Sequence, residues 1–242
     1  MKSRFGFSKI AILAIIAGAG LLTAMITLAL VHKKANEVDY DKYDANVVIE
    51  GTEDNGNIPD HIKGSADAPV KIFEYADYQC PGCATTNPRL NKLIEEYDGK
   101  LAVVYRNFLL SYHQNGTAAA SAAEAAGLQG YWKPYADKLF ANQSSWEYAD
   151  ASDRTDIFVD YFEKVSDGKG DVAKFKADMG SAEVKKKIDF DMGLGRKVDV
   201  PGTPALYIDG EWIDFSNHGT EEKFYELLRQ KIDAKLNAEQ EA

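Results

Sequence analysis

Lys71-Ile72-Phe73-Glu74-Tyr75-Ala76-Asp77-Tyr78-Gln79-Cys80-Pro81-Gly82-Cys83 reads as a hydrophobic strand running straight into a Cys-x-x-Cys pair that opens a helix. Val70, Ile72, Phe73 and Tyr75 are strand formers pointing to alternating faces. Beyond Cys83, Leu90, Leu93, Ile94 and Tyr97 recur at helical spacing as far as Asp98-Gly99, where the glycine offers a stop. Cys80 therefore falls at a helix N-terminus, where unpaired backbone N–H groups and the helix dipole favour an anion. A thiol held there ionises more easily, and the thiolate is the reactive form. Cys83, one turn in, is placed to attack a mixed disulfide formed at Cys80. The stretch suggests a redox-active dithiol.

Other uses of the pair fit less well. A structural zinc site takes about four ligands, and Cys80 and Cys83 are the only cysteines in 242 residues. The four histidines, His32, His61, His113 and His218, stand singly. A c-type haem attachment calls for histidine after the second cysteine, where this chain has Ala84. A disulfide across two residues closes almost no loop and adds little stability. No metal or organic cofactor is expected.

Working outward towards the N-terminus, residues 10–31 form a run of 22 without a charge. About 20 apolar residues span a bilayer core, whereas a cleavable signal has about 7–15 and ends in a small-x-small site. Residues 1–34 are therefore expected to be a retained transmembrane helix. Lys2, Arg4 and Lys9 precede the run and Lys33 and Lys34 follow it, a small bias towards a cytoplasmic N-terminus. An isolated dithiol suits work on other proteins in an oxidising compartment, so the catalytic part is placed outside the cytoplasm. Residues 35–60, with Glu37, Asp39, Asp41 and Asp44, read as an acidic, solvated tether containing one short strand at residues 47–49.

Beyond residue 34 lie all 38 acidic and 23 of the 28 basic residues, a net charge of −15. That balance argues against nucleic acid as a partner. Residues 61–238 are long enough for one domain with a full core. A second buried strand is expected at residues 101–105, then helices over about 114–196. Within that block residues 117–126 are alanine-rich. Trp132, Tyr135, Leu139 and Phe140 share a face, Ser152 is a candidate cap, and the last helix is expected to stop at Gly193 or Gly195. Asp209-Gly210 joins two apolar runs as a hairpin, and Thr220 caps a final helix. Parallel strands crossed by the first helix and closed by a hairpin define an α/β sheet with helices on both faces. Asp77 is expected to be exposed, and His113 to be a solvated histidine in a loop.

In its order of elements from His61 to Leu236 the chain resembles the DsbA-like branch of the thioredoxin superfamily. The likeness is carried by Ala68-Pro69-Val70, Phe73-Glu74-Tyr75, Cys80-Pro81-Gly82-Cys83, Ala122-Ala123-Glu124-Ala125-Ala126, Tyr131-Trp132 and Val200-Pro201-Gly202-Thr203-Pro204-Ala205. It implies a thioredoxin-like fold with an inserted helical domain, preceded by one N-terminal transmembrane helix. It also implies a cis Thr203–Pro204 bond facing the dithiol, with the Thr203 backbone meeting the substrate. Glu74 falls six residues before Cys80, where thioredoxin-like proteins carry a buried acid, and strand alternation puts it on the face of Val70 and Ile72. A buried carboxylate there has a raised pKa and can relay protons at Cys83. DsbA has histidine where this chain has Gly82, and thioredoxins usually have an aromatic residue where it has Gln79.

The implied activity is thiol–disulfide exchange that introduces disulfides into client proteins with free thiols. Its implied partner is a quinone-linked membrane reoxidant of the DsbB or VKOR type. A reductase or isomerase on the same fold, and a tethered binding or chaperone module, are the alternatives. The redox potential of the pair separates the first two, and loss of activity in Cys80→Ser separates an enzyme from a binder.

Overall fold

The computed structural model describes residues 38–214 and 220–240. Residues from Tyr40 onward form one compact unit. The expected transmembrane run lies outside the described residues, and among those described no helix is long and apolar enough to cross a membrane.

Five strands form one sheet: β1 (His61–Gly64), β2 (Val70–Ala76), β3 (Leu101–Asn107), β4 (Ala205–Ile208) and β5 (Glu211–Trp212), in the order β1-β3-β2-β4-β5. β2 and β3 run parallel, and the other pairs are antiparallel. The crossover between β2 and β3 is α1 (Pro81–Glu96). Five helices follow β3: α2 (Gly116–Gly127), α3 (Trp132–Ala141), α4 (Ala151–Val165), α5 (Val172–Asp178) and α6 (Ala182–Lys197), and the chain closes with α7 (Glu221–Gln240). The fold is thioredoxin-like with an inserted helical region. The Asp209-Gly210 hairpin forms as its sequence dictates, both residues taking positive φ (51° and 76°).

Strand alternation sorts the core. Val70 and Ile72 face Leu90 and Leu93 of α1 and Phe224, Leu228 and Ile232 of α7, whereas Phe73 and Tyr75 face Val104, Val200, Ala205 and Tyr207. A third cluster unites Cys80, Cys83, Tyr78 and Tyr105 with the aromatic face of α3 and the alanines of α2. Small side chains on α2 let the inserted helices pack closely against the dithiol end of the sheet.

Three expectations of secondary structure change. No strand forms at residues 47–49; the first strand is β1 instead. The Ile49 N–H donates to the Asp60 carboxylate (3.0 Å) and its carbonyl accepts from the Asp60 amide (2.8 Å), while Arg106 takes the Val47 carbonyl (2.7 Å). The backbone is satisfied by the Asp60 and Arg106 side chains and a single backbone bond rather than by a ladder. α6 does not stop at its glycines. A Cβ on Gly193 would strike the Tyr40 ring, and one on Gly195 would come within 2.5 Å of Phe108 Cδ2, so these glycines admit close neighbours rather than end the helix. α4 begins one residue before Ser152, after an extended Asp150.

Residues 40–60, expected as a solvated spacer, lie along the domain. Tyr40 and Tyr43 pack on Phe190, and Lys197 donates to the carbonyls of Tyr40 (2.6 Å) and Tyr43 (3.1 Å). Beneath this strap is a buried ionic cluster. Arg106 donates to Asp60 (2.7 Å) and to the Ala45 carbonyl (2.6 Å), and Lys187 bridges Asp60 (3.0 Å) and Asp191 (2.8 Å). Asn107 joins Asp191 to Glu124, which meets His61 at 2.7 Å. Burial opposes the ionised form of Asp60, but Lys187 and Arg106 outweigh it and hold the pKa at about 2.

Two consequences follow for stability. Lys187→Met leaves the buried Asp191 without its cation and Asp60 with Arg106 alone, and is expected to cost on the order of 3–5 kcal/mol in a denaturant titration; a loss below about 1 kcal/mol would show the cluster to be dispensable. Asp60 has a depressed folded pKa, so its contribution is complete above its ordinary value of 3.8 and is lost as pH falls through about 2.

Candidate active site

α1 starts at the dithiol because Pro81 occupies its first position, where a missing N–H costs nothing and the fixed φ suits a helix. Cys80 is the extended residue before it (φ −76°, ψ 121°), and its carbonyl already accepts from Ala84 (3.1 Å). Both cysteines are free thiols. Cys80 keeps 7% of its surface exposed and Cys83 none, so reagents reach the pair from the Cys80 side.

The two distant motifs meet at this point. Thr203–Pro204 is cis. The Cys80 Sγ lies 3.2 Å from the Thr203 carbonyl, which accepts its S–H in the thiol form. Gly82 faces the same loop, since a Cβ there would sit 3.0 Å from Pro204 Cδ and 3.6 Å from the Cys80 Sγ. Any side chain at position 82 would crowd Pro204. The structure thus brings Cys80, Pro81, Gly82, Cys83, Thr203 and Pro204 into one site.

The two sulfurs have opposite electrostatics. A hydrogen bond from the Cys83 thiol lowers Cys80 to about 5; burial opposes this, while Thr203 and the Cys83 and Gly82 amides reinforce it. Cys83 is pushed well up by burial, then by its contact with Cys80 and by the nearby Glu74 charge. One thiol is an anion at neutral pH and the other is kept protonated.

Glu74 is buried on the α1 side of β2, as its alternation predicts, and its Oε1 has no hydrogen-bond partner among the described residues. Burial raises its pKa to about 7, with Lys63 lowering it and Asp137 raising it. Lys63 on β1 is itself bound by Asp137 of α3 (2.6 Å) and by Asn87 of α1. A carboxyl that titrates near neutrality beside a buried thiol can give and take protons.

Asp77 is not exposed. It is fully buried, its Oδ1 accepts from the Gln79 amide (2.8 Å), and its Oδ2 accepts from the Leu110 amide (2.9 Å) and meets His113 Nδ1 at 2.8 Å. Gln79 bridges two loops, accepting from the Asn115 amide (2.6 Å) and donating to the Glu147 carbonyl (2.7 Å). His113 is correspondingly a partnered residue, not a free one. The available signal was an Asp two residues before a polar residue in a tight turn, a pattern in which the side chain binds its own backbone.

The chain belongs to the thioredoxin family: that family's profile, described as Thioredoxin, matches residues 56–233. Among individual relatives, the chain is 30% identical over 180 residues to "Probable disulfide bond formation protein D" of Bacillus anthracis, covering 72% of this chain and 76% of that protein. It is 32% identical over 157 residues to "Na(+)/H(+) antiporter NhaA 3" of Salinispora tropica, covering 62% of this chain but only 22% of the antiporter. Among solved structures, oxidised BdbD from Bacillus subtilis superposes with a TM-score of 0.60 at 22% identity, covering 80% of this chain and all of that one.

The unequal thiols make a direct labelling test. In the reduced protein, alkylation of Cys80 should rise with a midpoint near pH 5 while Cys83 stays slow; equal rates would reverse the assignment. Because the folded pKa of Cys80 is depressed, its contribution to the stability of the reduced form is complete above the ordinary thiol value and is lost as pH falls through about 5.

Proposed function

We propose that this chain is a thiol–disulfide oxidoreductase, tethered to the membrane by residues 1–34 and acting outside the cytoplasm, that introduces disulfides into client proteins. The observation that carries the reading is the Cys80 sulfur, set at the start of α1 and 3.2 Å from the Thr203 carbonyl of the cis-proline loop, beside the fully buried Cys83. In the oxidised protein a client thiolate attacks Cys80, the Cys80–Cys83 bond breaks, and Cys83 leaves as the thiolate that Glu74 reprotonates. A second client thiol attacks the client sulfur of the mixed disulfide and releases the Cys80 thiolate. Thr203 offers its backbone to an extended client strand, Pro204 shapes that loop, and Pro81 and Gly82 hold the helix start against it. A quinone-linked membrane partner of the DsbB or VKOR type then reoxidises the pair. The thioredoxin-like domain occupies residues 61–238, with its helical insertion at about 114–196. The similarity to disulfide bond formation protein D supports this reading, since its name describes the same chemistry.

A low thiolate pKa stabilises the reduced pair and raises its potential. The Cys80–Cys83 couple is expected between thioredoxin, at about −270 mV, and DsbA, at about −120 mV, when equilibrated with glutathione buffers. A potential at or below that of thioredoxin would make the protein a reductase. Cys80→Ser should abolish client oxidation.

Glu74→Gln removes a carboxyl with a pKa of about 7. It is expected to flatten the pH dependence of client oxidation around neutrality while leaving the Cys80 alkylation midpoint near pH 5. An unchanged profile would remove Glu74 from the proton path.

A further inference from the structure

Glu74 is buried without a hydrogen bond or an ion pair among the described residues, although a cation stands on the same face of the sheet. Lys63 on β1 lies opposite Val103 of β3, and Val103 lies opposite Ile72 of β2. Glu74 follows two residues after Ile72, opposite Tyr105. Paired residues point to one face and alternate residues share it, so Lys63 and Glu74 both face α1. Two strand spacings of about 4.8 Å each and a two-residue offset separate them. A lysine and a glutamate side chain reaching towards each other can close that gap.

The ammonium is taken up elsewhere. Lys63 Nζ donates to Asp137 Oδ1 of α3 at 2.6 Å and to Asn87 of α1, and it stands 5.7 Å from the centre of the Trp132 ring. Asn87 and Asn91, one turn apart on α1, donate to the same Asp137 oxygen at 3.0 and 3.1 Å. Burial opposes the ionised form of Asp137, but Lys63 and the two asparagines outweigh it and hold its pKa below the ordinary value. Lys63 therefore moderates Glu74 across a distance and does not pair with it. The titratable groups around Glu74 are Lys63 of β1, Asp137 of α3, Cys83 of α1, Tyr105 of β3 and Tyr78 ahead of Cys80, while β4 presents the apolar Leu206 opposite it. Lys63 is the cation of this set, and Asp137 decides where it goes.

We propose that Asp137 is a positioning residue for the exchange reaction: by binding Lys63 it withholds the ammonium from Glu74 and leaves the Glu74 carboxyl able to keep a proton at neutral pH. This rests on the reading in which Glu74 reprotonates Cys83. A client thiolate bonds to Cys80 Sγ, the Cys80–Cys83 bond breaks, and its electron pair leaves on Cys83 Sγ. The proton of Glu74 passes to that sulfur, and the resulting carboxylate recovers a proton from solvent. The client sulfur is oxidised and the disulfide of the protein is the oxidant. A Glu74 paired with Lys63 would be ionised beforehand and would have no proton to give.

The test follows the Glu74 carboxyl by NMR in the full-length oxidised protein, where neither thiol titrates. Glutamate is isotope-labelled at its side-chain carboxyl carbon, and Glu74→Gln identifies the signal. The wild-type carboxyl should titrate with a midpoint of about 7. Asp137→Asn, which keeps the shape of the side chain, should lower that midpoint by about 1–3 pH units, as for a carboxyl that gains a cation. In a Lys63→Met background the same substitution should move it far less, because the cation through which Asp137 acts is gone. The pH profile of client oxidation should move down with the carboxyl, while the alkylation midpoint of Cys80 in the reduced variants stays in place. An unchanged midpoint in Asp137→Asn, or an equal fall with Lys63 present and absent, would overturn the proposal. A rate profile that stays put while the carboxyl moves would overturn the relay role of Glu74 and leave the withholding of Lys63 standing.

Discussion

Everything at the site depends on the antiparallel pairing of β2 with β4, in which Phe73, Glu74 and Tyr75 lie opposite Tyr207, Leu206 and Ala205. β2 delivers Cys80 at its exit, and β4 begins just after Pro204. A register of three residue pairs therefore sets the contact between the Cys80 sulfur and a backbone carbonyl 123 positions away. A slip of one residue would turn Leu206 from the α1 side of the sheet to the other and carry Thr203 away from the sulfur. The buried apolar sets on the two faces, Val70 and Ile72 against α1 and Phe73 and Tyr75 on the opposite side, penalise that slip. Packing energy is thereby converted into catalytic geometry.

Within that frame the asymmetry of the thiols is a matter of depth. Cys80 and Cys83 are a single helical turn apart, yet one meets amides and a small opening to solvent while the other is enclosed by Tyr78, Tyr105 and the alanine face of α2. Desolvation acts most strongly on the enclosed sulfur and on Glu74 behind it, and raises both. The inserted helices supply much of this enclosure, and α3 also contributes Asp137, which holds Lys63 close enough to moderate Glu74. The insertion is thus part of the electrostatics of the dithiol.

The strand into Cys80, the helix beyond it, the hairpin at Asp209-Gly210 and the burial of Glu74 were all legible, because each follows from local alternation or turn chemistry. The meeting of Thr203–Pro204 with the dithiol came from likeness to a family rather than from spacing. Asp77, His113 and the Asp60–Arg106–Lys187–Asp191 cluster were not legible. Polar residues read as solvated by default, and here each is buried by partners tens of residues away. α6 ran past Gly193 and Gly195 for a related reason. A glycine in a helix reads as a stop unless the ring that fills its space, Tyr40 or Phe108, is known. Long-range partners decide such positions, and a single sequence does not display them.

The strap of residues 40–60 has a mechanical meaning. Its first turn is fastened to the end of α6 by Lys197 and by the Tyr40 and Tyr43 rings, and its far end by Arg106 and Lys187 through Asp60. A pull arriving along the chain at Tyr40 is therefore taken up first by α6 and by the ion cluster under the sheet. The strap thus works as a clamp that spreads such a load over α6 and the ion cluster.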